Sequence, residues 1–490
     1  MNTAVGLERA AEERGWTARA AFHEGDRTLT HGEVHTLTAQ AAGVLAEHGV
    51  GRDDSVLIAL PDGIAWVVAF LATARLGALA VVVNPGLTPD RHRYIAKDSD
   101  ASLVLADSTV AAALPGLAHL TGEELLERAA AGRPAPAAAV GGDHPLYVQY
   151  TSGTTGQPKG VVHRHVDLET YHTGAGAQIL GIGPDDVILS VSKLFFAYGL
   201  GNALAFPLWS GGSAVLEPER PKPSRIAELT ARHQVTYLFA VPSAYANILA
   251  ETDPAAFASV RAAVSAGERL TDELCERATA FLGAPVYDQL GSTEAGHAIA
   301  TNGASFHAPG TIGRLAPDFE AQVRDRTGAP VPDGTAGELW VRGPTVTRGY
   351  LGLPEETART LVDGWLNTRD RVVRNADGSF VHAGRTDDLE MVGGVTFSPA
   401  EVEQVLSRHA AVHDVAVACI SNERGASKLR AFVIPRRPAP DPAELERELV
   451  DLARAHLEPY KVPRSVAVVD TLPRTATGKL QRFLVRQGSW

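Results

Sequence analysis

At 490 residues the chain exceeds what one hydrophobic core of ordinary size accommodates, and its length alone implies two to four domains. Fractions of 45% hydrophobic and 21% charged residues exclude a disordered chain, and a net charge of -12 without any Lys/Arg-rich run argues against nucleic acid as a main partner. No apolar run is long enough to span a bilayer: the greasiest stretch, 65–83, is broken by Arg75 and Gly77 and reads as a core helix followed by a strand. Glu8, Glu12 and Glu13 precede any apolar region, which does not read as an export signal, so the chain is expected in the cytoplasm. The two cysteines, Cys275 and Cys419, lie far apart and read as buried thiols rather than a disulfide or zinc site. Nothing in the sequence specifies an oligomeric state.

Residues 33–47 carry helical apolar spacing, 55–60 read as a strand, and Asp62 is expected to N-cap a helix running to Ala74. Residues 81–83 and 102–106 read as buried strands. This alternation predicts an α/β fold, a large N-terminal domain of mostly parallel sheets flanked by helices. The Ala/Pro/Gly-rich stretch 129–142 reads as an exposed connector before a strand at 146–150. Over about 310–386, most plainly at 334–350, short strands and turns suggest a small β-rich subdomain. Then come a helix at 401–406, strands at 412–420 and 429–434, a helix at 442–456 and a strand at 465–469, enough for an independent α+β unit. The expected domains are 1–386 and a mobile C-terminal lid over 387–490.

Directly after the strand at 146–150 comes Thr151-Ser-Gly-Thr-Thr-Gly-Gln-Pro-Lys-Gly160. Its glycines let the backbone turn tightly and bring N–H groups to an anion, hydroxyls at Thr151, Ser152, Thr154 and Thr155 add donors, and Lys159 adds a charge. Gly153 and Gly156 make the turn, and the expected ligand is the β- and γ-phosphates of a nucleotide. No Gly-Lys-Ser/Thr follows a first glycine at the Walker A distance. The loop instead resembles the signature of the adenylate-forming superfamily, which includes acyl- and aryl-CoA ligases, luciferases and the adenylation domains of peptide synthetases.

The superfamily's other motifs follow in order, and the resemblance covers Leu146 to Lys479. Tyr287-Asp-Gln-Leu-Gly-Ser-Thr-Glu294 resembles its second core motif, which implies that Thr293 touches the α-phosphate, that Glu294 holds Mg²⁺ and that Asp288 lies on the nucleotide side. A hard cation takes carboxylate oxygen, and Mg²⁺ offsets charge as pyrophosphate leaves. Gly364-Trp-Leu-Asn-Thr-Arg-Asp370 implies that Asp370 accepts the ribose hydroxyls. Gly384-Arg-Thr-Asp-Asp388 resembles the hinge motif, with Arg385 also on the ribose and Asp387 as the pivot. Pro473-Arg-Thr-Ala-Thr-Gly-Lys479 resembles the last motif, whose lysine bridges carboxylate and α-phosphate as the acyl-adenylate forms. Gly267 and Glu268 resemble the adenine-side loop, less specifically.

Lys193-Leu-Phe-Phe-Ala-Tyr-Gly-Leu-Gly-Asn202 is similar, nearly residue for residue, to a segment of benzoate–CoA ligases. The resemblance implies an aromatic gate at Phe196 and a ring pocket lined by Ala197, Tyr198, Gly199, Ala266, Gly291 and His297. No aspartate stands where amino-acid-activating members grip an α-amine, so a flat aryl acid fits, with a small hydroxyl or amino substituent able to bond Tyr198 or His297. Many CoA ligases carry a lysine three positions after the hinge Asp-Asp, where this chain has Met391. Gly393 and Gly394 still suit a pantetheine passage. CoA is the expected thiol and the phosphopantetheine arm of an acyl carrier protein the alternative. A phosphotransfer NTPase predicts ADP and phosphate as products, and an acyl-adenylate oxygenase requires oxygen.

Overall fold

The computed structural model describes residues 1–152, 158–268, 270–386, 390–392, 395–421, 427–474, 480–488 and 490. Two compact units divide the chain: Met1–Ala321 with Trp340–Asn367 and Asp377–Phe380, and Gln322–Leu339 with Thr368–Ala376 and Val381–Trp490. The chain passes between them five times, four of them within strands Glu320–Arg324, Ala336–Arg342, Trp365–Arg374 and Phe380–Arg385.

The first unit holds two sheets. In the six-stranded one the order is Ala118–Leu120, Ala101–Ala106, Ser55–Ala59, Leu79–Val82, Pro145–Ser152, Pro158–Arg164, and only the last pair is antiparallel. The nine-stranded one contains a parallel run, Ala20–Glu24, Ser213–Leu216, Val187–Ser190, Tyr237–Ala240, Ala262–Ala266 and Val286–Gly291, with antiparallel strands at both edges. The largest core joins one face of each sheet, through Val56, Ile58, Phe22, Ile188 and Val264, to helices His31–Glu47 and Ile64–Arg75. Strands buried on both faces read as continuous apolar runs, which makes 81–83 and 102–106 legible.

Helix His31–Glu47 starts on a capping box, with Thr30 and Glu33 each bonding the other's backbone N–H. The expected cap at Asp62 is overturned. Gly63 is the N-cap of Ile64–Arg75 and makes no side-chain bond, while the buried Asp62 carboxylate accepts the N–H of Leu194 at 3.0 Å. The helix end is itself buried and takes its acceptor elsewhere, the Ile64 N–H donating to Glu24 at 3.2 Å, which leaves the Asp62 carboxylate for the buried Leu194 donor. The connector begins later than expected, because helix Gly122–Ala131 continues past Ala129. Both cysteines are half-buried.

In the second unit strand Ser427–Pro435 lies between antiparallel Val412–Ser421 and parallel Ser465–Val468. Helices Pro399–Leu406 and Pro442–His456 supply Val402, Leu406, Leu445 and Leu449 to the core on one face, and Arg482–Gln487 supplies Val485 to the other. Asp441 caps the long helix by accepting from Ala443 and Glu444. Among the described residues no helix is long and apolar enough to cross a membrane.

Candidate active site

The predicted residues of the first unit gather at the carboxyl ends of its strands, the usual position of ligands on parallel sheets. Thr151 and Ser152 end strand Pro145–Ser152, paired with Lys159 and Pro158 across a hairpin. Gly153, Thr154, Thr155 and Gly156 lie outside the described residues. Lys159 is buried, its ammonium paired with Glu356 and 5.5 Å from the centre of the Tyr350 ring. The Tyr350 hydroxyl donates to Glu294 Oε1 at 2.9 Å. Tyr350 therefore links the loop's cation to the predicted metal carboxylate, a role with no motif signal.

Thr293 and Glu294 sit in the turn between Val286–Gly291 and the antiparallel strand Ala298–Thr301. Backbone carbonyls pin this turn. Thr293 C=O accepts from the Gly296 N–H at 3.0 Å and from His163 Nε2 at 2.7 Å, Glu294 C=O from the Thr347 N–H at 2.8 Å, and Ala295 C=O from the Thr345 hydroxyl at 2.7 Å. Because a carbonyl only accepts, His163 Nε2 carries the proton. At Gly296 φ is +85°, and a Cβ there would stand 2.0 Å from the Tyr171 hydroxyl, so only glycine fits.

On the nucleotide side, Gly267 has φ +89° beyond strand Ala262–Ala266, and Glu268 accepts from the Ser243 N–H and hydroxyl at 3.2 and 3.3 Å. Asp288 accepts its neighbour Gln289's N–H at 3.0 Å and lines a cavity with Leu270, Asp272, Cys275 and His307. Burial, helped by the nearby Asp288 and Asp272 charges, pushes the Cys275 thiol up.

The predicted acid-binding residues also come together. Phe196 caps the short helix Ala197–Leu200, its ring centre 4.5 Å from that of Phe195. Tyr198 donates to the Val264 carbonyl at 2.9 Å and stacks on His297 at 6.1 Å. His297 is fully enclosed: Phe206 lies 5.0 Å away edge-on, Tyr171 5.9 Å away, and Asn202 Oδ1 3.0 Å from Nε2. Burial drives its pKa down to about 3, so the ring is neutral at any physiological pH. Glycines allow this closeness. A Cβ would meet Lys193 O at 2.1 Å from Gly199, His297 Cδ2 at 2.2 Å from Gly201, and His297 O at 2.2 Å from Gly291. Ala197 is half-buried, and Ala266 is buried at its strand's end. Tyr198 and His297 thus spend polar atoms on the protein itself, while His297 Nδ1 is buried without a hydrogen-bond partner among the described residues. Asn202, which orders the imidazole, closes the 193–202 segment without being expected in the site; its only signal is adjacency.

In the second unit Asp370, 3% exposed, receives His382 Nε2 at 3.2 Å and Arg385 at 3.5 Å, which brings the two predicted ribose residues together. Asp387, Gly393, Gly394 and Lys479 lie outside the described residues. Their flanks pair: Val392 with Val395 in a hairpin, and Arg474 with Leu480.

The AMP-binding enzyme family model matches residues 7–351, and that of the AMP-binding enzyme C-terminal domain matches 401–479. This chain belongs to that family. Among similar AMP-binding enzymes is the p-hydroxybenzoic acid–AMP ligase FadD22 of Mycobacterium marinum, 38% identical over 99% of this chain and 69% of its own length. The 4-hydroxybenzoate–CoA/benzoate–CoA ligase of Rhodopseudomonas palustris is 36% identical over 97% of this chain and 92% of its own length. A benzoate CoA ligase structure from Burkholderia xenovorans superposes with a TM-score of 0.91 at 36% identity, covering 99% of this chain and all of the other. The anthranilate CoA ligase AuaEII, solved with anthranoyl-AMP, gives 0.92 at 31% identity, over 100% and 97% of the two chains. The resemblance to adenylate-forming enzymes, and to benzoate–CoA ligases among them, is thereby borne out.

Proposed function

We propose that this AMP-binding enzyme activates a benzoate-like acid with ATP and passes the aryl group to the thiol of CoA. A carboxylate oxygen of the acid attacks the α-phosphorus, the bond to the β-phosphate oxygen breaks, and pyrophosphate leaves with aryl-AMP remaining; thiolate attack on the mixed anhydride then expels AMP. The observation that carries this reading is the closed aromatic wall of Tyr198, Phe206 and a neutral His297, beside Phe195 and Phe196. A planar acid gains dispersion and desolvation there, whereas an ammonium would find no charge partner in His297.

For the nucleotide we propose Thr293 at the α-phosphate, Asp370 and Arg385 at the ribose, Gly267, Glu268 and Asp288 near adenine, the 151–159 loop at the outer phosphates and Lys479 at the forming bond. Glu294 offers one carboxylate, and no group of three His, Cys, Asp or Glu side chains among the described residues can hold a metal alone. That donor set fits Mg²⁺ arriving with ATP, most of its ligands being phosphate and water.

A carrier-protein acceptor is the second reading. It is favoured by Met391, which replaces the lysine many CoA ligases carry, and by the FadD22 relatives, named as AMP ligases. Pyrophosphate release is to be measured with benzoate, its hydroxy and amino derivatives and a medium-chain fatty acid. Acyl transfer from preformed aryl-AMP to CoA and to phosphopantetheinylated carriers follows. Preference for the fatty acid overturns the aryl reading, and transfer to a carrier far faster than to saturating CoA overturns the CoA reading alone.

A further inference from the structure

Asp62 is 4% exposed, and its carboxylate reaches across 132 residues of sequence to the N–H of Leu194. Leu194 lies between Lys193 and the Phe195–Phe196 pair, in the segment that leads into helix Ala197–Leu200. The same segment is held twice more. Lys193 Nζ donates to the carbonyls of Glu217 and Glu219 at 2.5 Å each, and its own carbonyl accepts the Phe196 N–H at 2.9 Å. No room remains for slack, since the Lys193 carbonyl stands 2.1 Å from where a Cβ on Gly199 would lie. A buried carboxylate that serves neither its own helix nor an exposed partner is costly to keep, and its cost is offset only by the groups it organises.

We propose that Asp62 is a positioning residue for acid binding: by accepting the Leu194 N–H inside the core, it sets the pose of residues 195–198, which carry the aromatic gate and the ring wall. This rests on the reading of that segment as the acid site. Charged groups surround the pair. Lys193 faces Asp62, Glu217 and Glu219 face Lys193, and Glu24, at the end of strand Ala20–Glu24, accepts from the Ile64 N–H two residues along. Burial outweighs the Lys193 charge and lifts the Asp62 carboxyl to about 7, so it is charged above and neutral below that pH.

The test uses full-length Asp62→Leu and Asp62→Asn, with the acid the wild type turns over best from a panel of aryl and aliphatic acids. Asp62→Leu is expected to raise the KM for acid about 10-fold while the KM for ATP moves less than about 2-fold, because only the acid segment loses its anchor. Asp62→Asn offers a neutral oxygen acceptor, as the protonated carboxyl does, and is expected to lie within about 3-fold of the wild type at pH 8 and to abolish the wild type's fall of the same size in kcat/KM for acid below about pH 7. Should Asp62→Leu not fold, the Asn profile decides alone. Parallel rises in both KM values, or an Asn pH profile that overlays the wild type, overturn the proposal. A wild type that prefers an aliphatic acid overturns the aryl reading, and the KM split then measures Asp62 on that acid.

Discussion

Tyr350 touches two groups that the motifs name separately. Its hydroxyl bonds Glu294 and its ring lies over the Lys159 ammonium, so Tyr350→Phe removes one contact and keeps the other. A loss of about 5-fold in adenylation, with a higher Mg²⁺ requirement, is the expectation for one hydrogen bond to a charged group. Pyrophosphate release titrated with Mg²⁺ measures it, and an unchanged Mg²⁺ dependence counts against Tyr350 supporting Glu294. In the proposed acid pocket Ala197→Phe is expected to exclude benzoate-sized rings by overlap, and Tyr198→Ala to weaken them by leaving a void and removing the hydroxyl that shares the Val264 carbonyl with Tyr245. Acid-dependent pyrophosphate release should collapse in both while the apparent affinity for ATP holds. Equal loss of ATP affinity would count against the pocket assignment.

The turn from Gly291 to His297 works as an element. His163, Thr345 and Thr347 hold its three successive carbonyls, and Gly296 lets it pass under Tyr171. Gly296→Ala meets both a left-handed φ and the Tyr171 hydroxyl, so a stability loss of about 1–3 kcal/mol and a drop in adenylation are expected. Thermal melts read the first, and combining it with Tyr171→Phe should recover only part of it, since the backbone strain stays. Asp387 belongs to an element outside the described residues, and its role as pivot is a sequence-based proposal. Asp387→Pro is expected to preserve adenylation and slow thioester formation, because proline fixes φ where the lid must turn. Equal losses in both half-reactions argue against it.

Across the whole molecule, burial lowers the pKa of His35 and His172 to about 4, and of His165 and His297 to about 3. In the unfolded chain these rings bind a proton near the ordinary value of about 6.5, so the unfolded state gains protons first as pH falls. Their stability contribution is present above about 6.5 and is lost as pH drops toward about 4, by up to about 1.4 kcal/mol per pH unit for each ring. Asp62 acts in the opposite sense: raised to about 7, it favours the folded state as pH falls, but it is one group against four. The melting temperature is therefore expected to fall from pH 7 to 5. A flat profile would show that these rings are hydrated rather than sealed.

Much of the fold and of the candidate site is legible in the amino-acid sequence alone. The strands at 55–59 and 101–106 announce themselves because strands buried on both faces read as near-continuous apolar runs, and the helix Pro442–His456 because proline and histidine mark its ends. The phosphate and metal roles proposed for the glycine loop and the Thr293–Glu294 turn come from sequence, because such chemistry permits few residue types at fixed local spacings. Tyr350, Asn202 and Asp62 are not. Each acts on a partner 56, 95 or 132 residues away, and local sequence carries no record of such a distance. Asp62 shows the limit plainly: a carboxylate before a helix is a good cap by local rules, and only the packed core, with the Leu194 N–H cut off from water, decides that it bonds elsewhere.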